Sequence, residues 1–249
     1  MVLGSALDIF SREGFSYLSR WSHVFVGITW IGLLYFFNFV QVPAYAQMEA
    51  SARNNALDKL TSRALWWFRW AAAATLVSGI LLIIFQKQYE SDYMKTPGGV
   101  AIYAGILLAV TMFLNVWLVI WPNQKKVIAN ARNVQAGGQA DPAAASAART
   151  GALASRMNTI FSLPMLVFMV GTSHFPYDSG VDTSGSKRAT FWIIWVVIWG
   201  VLELLALGLL GGKGPGGPRI IFDTHRNAII TGFVYSAVAL ILFSYVLTS

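Results

Sequence analysis

Histidine is the side chain best suited to bind a metal or move a proton near neutral pH, and this 249-residue chain carries three: His23, His174 and His225. His23 lies in RWSHVFVGITW at the start of a long apolar run, and His174 in MVGTSHFP at the end of another. If alternate runs cross a bilayer in opposite directions, these two approach one face from different helices. At about 1.5 Å of rise per residue, each lies within a turn or two of that interface. Two imidazoles at matched depth suit axial ligation of a b-type haem, because neutral imidazole is a strong ligand for haem iron. The alternative for each is an interfacial polar residue bonded to backbone or water. His225, in FDTHRN ahead of the last run, falls on the opposite face and cannot share an iron with His23. It reads as a solvated loop histidine between Asp223 and Arg226, and a second haem there would need a partner that the sequence does not supply.

Charged groups inside apolar runs are the second chemical signal, since a charge at a helix centre costs about 2.5–3.5 kcal/mol on insertion scales. Glu203 sits in WGVLELLAL, about seven residues or roughly 10 Å from the inner end of its run. Arg69 enters the same leaflet from another run, and its long stem can reach Glu203. Asn38 and Asn115 fall in that half too. Structurally this cluster predicts an interhelical polar staple; functionally it predicts a proton path or a quinone head-group site.

Six runs must position these groups: 21–42, 66–85, 100–121, 157–173, 190–210 and 229–247. Each has about the 20 residues a bilayer span needs. The chain is 56% hydrophobic and 12% charged, against about a quarter charged in an ordinary soluble domain, and a soluble core has no use for that much apolar surface. The runs do not alternate apolar with polar residues and are about twice as long as membrane-barrel strands. The expected fold is all-α: a single polytopic membrane bundle spanning residues 1–249.

A net charge of +7 is of the sign a nucleic-acid partner requires, but the basic residues follow topology instead. Eleven lie in the first, third and fifth connections: Arg53, Lys59, Arg63, Lys125, Lys126, Arg132, Arg149, Arg156, Lys213, Arg219 and Arg226. The N-terminal stretch and the other two connections hold six. Cytoplasmic connections retain Lys and Arg, which predicts a bacterial cytoplasmic (inner) membrane protein with both termini periplasmic and no nucleic-acid partner. The absence of cysteine excludes disulfides, cysteine-ligated zinc, iron–sulfur clusters and covalent c-type haem within the chain.

Between the runs, residues 1–20 read as an N-terminal interfacial segment, with Leu7, Phe10 and Tyr17 available to lipid. Residues 122–156 read as a cytoplasmic loop whose Ala-rich half forms a helix from Pro142 onward. The glycine- and proline-rich GGKGPGGPR lacks phosphate-loop spacing and predicts a flexible connection. Most tryptophans fall near run ends, as interfacial anchors do, and Gly27, Gly32, Gly79 and Gly105 mark places where a helix or a flat cofactor can approach the backbone.

Three blocks carry a resemblance: RWSHVFVGITWIGLLYFFNFVQ (20–41), ALWWFRWAAAATLVSGI (64–80) and RMNTIFSLPMLVFMVGTSHFP (156–176). Together they resemble the membrane domain of the bacterial membrane-bound urate oxidase (urate hydroxylase) family. The resemblance implies His23 and His174 as haem-associated histidines, and Asn158, Thr159 and Pro164 as motif positions of structural role. Long members of that family carry a C-terminal cytochrome c domain, whereas this chain contains no Cys-x-x-Cys-His. The leading expectation is a membrane electron-transfer subunit with haem b near the periplasmic face, inside a larger respiratory or oxidoreductase complex. A separate cytochrome c, other redox subunits or a quinone would be its partners. One rival is a stand-alone urate-type oxidase with Asn158, Thr159 and His174 lining a substrate pocket. The other is a cofactor-free accessory subunit of a respiratory or photosynthetic complex.

Overall fold

A computed structural model describes residues 8–175 and 183–248. Six helices are long and apolar enough to cross a membrane: α1 (Arg12–Gln47), α2 (Ala50–Phe85), α3 (Pro97–Gln135), α4 (Ala143–His174), α5 (Gly185–Leu207) and α6 (His225–Leu247). No strand occurs among the described residues. The side of the bundle holding the α1–α2, α3–α4 and α5–α6 connections is the inner side below.

The helices overrun the apolar stretches that define them. α1 and α2 have 36 residues each and α3 has 39, which is about 54–58 Å at 1.5 Å per residue, against an apolar bilayer core of about 30 Å. The expected loop at 122–156 is therefore a helical hairpin. α3 continues to Gln135, α4 begins at Ala143, and only 136–142 turn the chain. No breaker follows Pro122 until Gly137, which adopts a φ of 85°, and AAASAARTGALAS is rich in the strongest helix former. The expected helix after Pro142 exists, but as the inner end of α4.

The N-terminal expectation is corrected in the same way. Ser11 caps α1 by accepting the Gly14 N–H at 3.0 Å, and from Arg12 the helix runs unbroken into the first span, so residues 12–20 are not a separate interfacial helix. Phe10 and Tyr17 are exposed as expected, while Leu7 lies outside the described residues.

Three stretches are π-helical: Phe36–Gln41, Leu57–Thr61 and Asn115–Ile120. Two have a local cause. Proline lacks an N–H and its ring clashes with the carbonyl four residues back, and the residue before each proline bonds one position further away. Val42, before Pro43, donates to the Phe37 carbonyl, and Trp121, before Pro122, donates to that of Val116. The extra residue turns Asn38 and Gln41 in one helix and Asn115 in the other into the interior. The third stretch contains no proline and buries Asp58 and Thr61.

α4 is the most buried of the six helices and packs against α3, α6, α5 and part of α1. Its Phe168 meets Trp195 edge to face at 5.2 Å, and Trp195 stacks on Tyr235 at 5.1 Å. Pro164 lies inside α4 without a π turn. There Gly232 brings α6 against the helix, since a Cβ at Gly232 would stand 2.6 Å from Leu163 Cδ1 and 3.4 Å from the Ile160 carbonyl oxygen.

Candidate functional site

His23 projects from α1 onto α2, where three residues receive its ring. Its Nδ1 lies 3.0 Å from the Thr75 carbonyl oxygen and 3.2 Å from Ser78 Oγ. A carbonyl only accepts, so Nδ1 carries the proton. Ser78 donates its own hydroxyl to the Ala74 carbonyl at 2.7 Å, which leaves Oγ free to accept as well. Nε2 is then the ring nitrogen that carries the lone pair. Gly79 makes this placement sterically available, for a Cβ there would lie 3.1 Å from His23 Cε1.

His174 arrives at the same tautomer by a different route. It is the last residue of α4, exposed, and its Nδ1 lies 3.1 Å from the Val170 carbonyl oxygen one turn back. Nε2 again carries the lone pair. The level of the two histidines follows from where α1 meets α4: Asn38 Nδ2 donates to Ser155 Oγ at 2.9 Å, and Tyr35 OH lies 2.9 Å from Ser162 Oγ. Moving outward by equal numbers of residues brings His23 level with Val170 from the first contact and with His174 from the second.

The stripe below His23 is unusual. Gly27, one turn inward, has nothing within 4 Å of where its Cβ would stand, and Gly32 likewise has no close neighbour, so neither serves the helix packing expected of it. Trp30, two turns inward of His23, is almost fully buried, yet its indole N–H has no acceptor. A nitrogen lone pair, a bare backbone and an unpartnered N–H thus follow one another on a single helix face. His225 is the first residue of α6 at the inner end, far from both other histidines along the bundle axis.

The expected polar cluster resolves into three separate sites. Glu203 is buried in α5, and its carboxylate accepts from Asn115 Nδ2 at 3.3 Å. Asn115 also donates to Asn158 Oδ1 at 3.0 Å, and Asn158 donates to the Met112 carbonyl at 2.9 Å. This chain staples α3, α4 and α5 together. Asn38 bonds Ser155 and the Leu34 carbonyl instead. Arg69 makes no ion pair with Glu203; its guanidinium lies 3.8 Å from the centroid of Trp121 and 5.8 Å from that of Trp117. Arg69 projects towards α3 aromatics, whereas Glu203 faces the opposite flank of α3 through the Asn115 π turn, and this separates the pair expected from depth alone.

Asn158 and Thr159 are fully enclosed, and they stand about 24 Å along α4 from His174 at 1.5 Å per residue. They do not line a common pocket with it. Thr75, Ser78 and Gly79, which hold His23, were not anticipated as a group. Their signal is a small polar cluster, T-x-x-S-G, in an otherwise apolar run. The inner-side pair of Asp58 with Arg132 was also missed, because Asp58 sits outside the apolar run and only the extended α2 buries it.

Residues 89–204 match the family model described as urate oxidase N-terminal. That stretch, just under half of the chain, is similar to the urate oxidase N-terminal family. The urate oxidase-like stretch holds α3, α4 and most of α5, and with them Asn115, Asn158, Thr159, Pro164, His174 and Glu203. His23 and Arg69 precede it. No curated protein and no solved structure matches the chain.

Proposed function

We infer that this urate oxidase-like membrane protein is an electron-transfer subunit that holds b-type haem between His23 and His174 near its outer face. The observation that carries this reading is the tautomer common to both rings. Each histidine spends its Nδ1–H on a backbone carbonyl and keeps Nε2 as a lone pair, the arrangement by which metal-ligating histidines are oriented and made more basic. The open space at Gly27 on the His23 stripe fits a flat group beside α1. Bound haem supplies one-electron redox chemistry. This chain's own contribution is to fix the imidazoles and set the level of the site in the membrane.

The reading places the outer side in the periplasm, with both termini there, in a bacterial inner membrane; a separate cytochrome c or a quinone completes the electron path. Reporter fusions at Lys126 and at the C-terminus should then give opposite signals.

A pyridine haemochrome assay on the purified protein tests the cofactor. The b-type spectrum should be lost or altered in both His23→Ala and His174→Ala. Gly79→Val should lower haem content as well, because the added side chain displaces the His23 ring without removing a ligand. No haem in the wild-type protein, or an unchanged spectrum in both histidine variants, would sink the reading. The family match favours one second reading, direct oxidation of urate. Urate turnover with an artificial electron acceptor, measured on the purified protein without partner subunits, distinguishes it.

A further inference from the structure

Among the described arginines that are buried or half-buried, four donate to oxygen. Arg149 reaches Asp223, Arg156 the carbonyls of Phe222 and Asp223, Arg188 that of Thr183, and Arg219 those of Leu210 and Gly214. Arg69 differs from all of them. Its neighbours are the rings of Trp121 and Trp117, at 3.8 and 5.8 Å, and its Nε is buried with no acceptor.

An aromatic face attracts the cation, but it leaves the guanidinium's five in-plane N–H donors unused. An arginine at the edge of the apolar layer with neither carboxylate nor carbonyl is costly, so the site is electrostatically incomplete. The surroundings deepen the deficit. Lys125 Nζ lies 5.5 Å from the centroid of the same Trp121 ring, placing a second cation at the site. Acids of the inner side are engaged elsewhere: Asp58 with Arg132 and Lys59, Glu203 with Asn115, and Asp223 with Arg149. On the lipid side the aromatic surface continues along α2. Trp70 meets Trp117 edge to face at 5.4 Å, Trp66 lies 6.4 Å from Trp70, and both Trp66 and Trp70 are about half exposed (48% each). Tryptophans in such positions sit at head-group level.

We propose that Arg69 and Lys125, on the Trp121 platform between α2 and α3, bind the phosphate of an anionic phospholipid from the inner leaflet. The phosphate oxygens accept the in-plane donors of Arg69, which its fork geometry suits, while Lys125 adds a point charge. The acyl chains run outward past Trp70 and Trp117, while Trp66 flanks the head group. A soluble anion would satisfy the charge but leave that aromatic wall facing unrelated lipid, and a zwitterionic lipid brings its own ammonium to a site already holding two cations. Basic pockets between membrane helices on the cytoplasmic side have this chemistry.

Native mass spectrometry of the purified protein, titrated in detergent with phosphatidylglycerol or phosphatidylcholine, tests the site. The first phosphatidylglycerol should be retained about tenfold more tightly than phosphatidylcholine. Arg69→Gln should abolish the preference, Lys125→Gln should reduce it, and Lys126→Gln, the adjacent exposed lysine, should leave it intact. Equal retention of the two lipids by the wild-type protein overturns the proposal and requires no variant to fold. A preference that survives both Arg69→Gln and Lys125→Gln overturns it too. So does displacement of the lipid by millimolar inorganic phosphate, which would make this a soluble-anion site.

Discussion

On the inner side of the bundle, three π-helical stretches turn Asn38, Gln41, Asp58, Thr61 and Asn115 towards other helices. On the outer side, His23 and His174 stand on uninterrupted α-helix and bond only to backbone carbonyls and one serine. Inner polar groups satisfy one another: Tyr45 OH lies 2.8 Å from Thr61 Oγ1, Thr61 donates to Gln41, and Asn115 joins Glu203 to Asn158. The outer histidines each keep a nitrogen unspent. An apolar environment makes closed polar networks stabilising and open ones costly, so, Arg69 at the lipid face aside, the inner half is organised to hold the helices together, whereas the outer half leaves imidazole nitrogens open. π turns occur preferentially at functional sites; here two of the three serve the proline problem and the staple, and the open chemistry lies elsewhere.

The comparison is most exposed at Asn158. Replacing it with leucine removes the acceptor of Asn115 and the donor to the Met112 carbonyl in a fully enclosed position. Leaving such groups unpaired costs about 1–3 kcal/mol each, so Asn158→Leu should lose about 2–4 kcal/mol of stability in detergent, read as a large drop in unfolding midpoint. Glu203→Gln keeps an acceptor and similar volume and should stay within about 1 kcal/mol of wild type. If Asn158→Leu is as stable as wild type, the inner network is not what holds α3, α4 and α5 together.

Steric closure should matter less. At Gly232, where α6 crosses the Pro164 region of α4, a valine would displace Leu163 and press on Ile160. Overpacking of this kind costs about 1–3 kcal/mol. By contrast, Gly27→Ala meets no neighbour within 4 Å and should leave stability of the cofactor-free protein unchanged or slightly raised. Comparable losses from the two substitutions would mean that the outer half is packed as closely as the inner.

The same contrast explains what the sequence discloses. Six spans, the all-α class and the burial of Glu203 follow from run length and from the cost of intramembrane charge, quantities that depend on composition alone. The long inner extensions were hidden, because hydropathy ends at Trp121 and begins again at Met157 while helix propensity does not: the backbone of NQKKVIANARNVQ has no reason to stop. The splitting of the polar cluster was hidden for another reason. Depth can be read from a run, but azimuth shifts across each π turn, so a residue-by-residue count through Phe36–Gln41 or Asn115–Ile120 misplaces one end of the helix relative to the other. His23 could be singled out by type, yet its receiving surface at Thr75, Ser78 and Gly79 depends on which helix α1 chooses as neighbour.

The smallest expected effect concerns the inner connection between α5 and α6, where order was not anticipated. Arg149 of α4 holds Asp223 at 2.5 Å, and the Gly216 N–H donates to the other carboxylate oxygen at 2.7 Å, pinning the glycine-rich turn to the bundle. Partial burial pushes the Asp223 carboxyl upward, but the bonds from Arg149 and Gly216 and the charges of Arg149 and Arg156 outweigh it, and the group titrates below its ordinary range. A carboxylate depressed in the folded state contributes stability that is fully present above its unfolded value of about 3.9 and is lost as pH falls through the lower folded value. Wild type should therefore exceed Asp223→Asn by a constant margin from neutral pH down to about pH 5. The two should converge below about pH 4. Because the pair lies near the surface, that margin should stay under about 1 kcal/mol, and added salt should shrink it. Proteolysis at Lys213 is the more sensitive readout, since releasing the turn exposes Gly212–Gly216 without unfolding any helix. Equal cleavage of wild type and Asp223→Asn at pH 7 would mean that the inner side is held by its buried network alone and that this connection adds nothing to it.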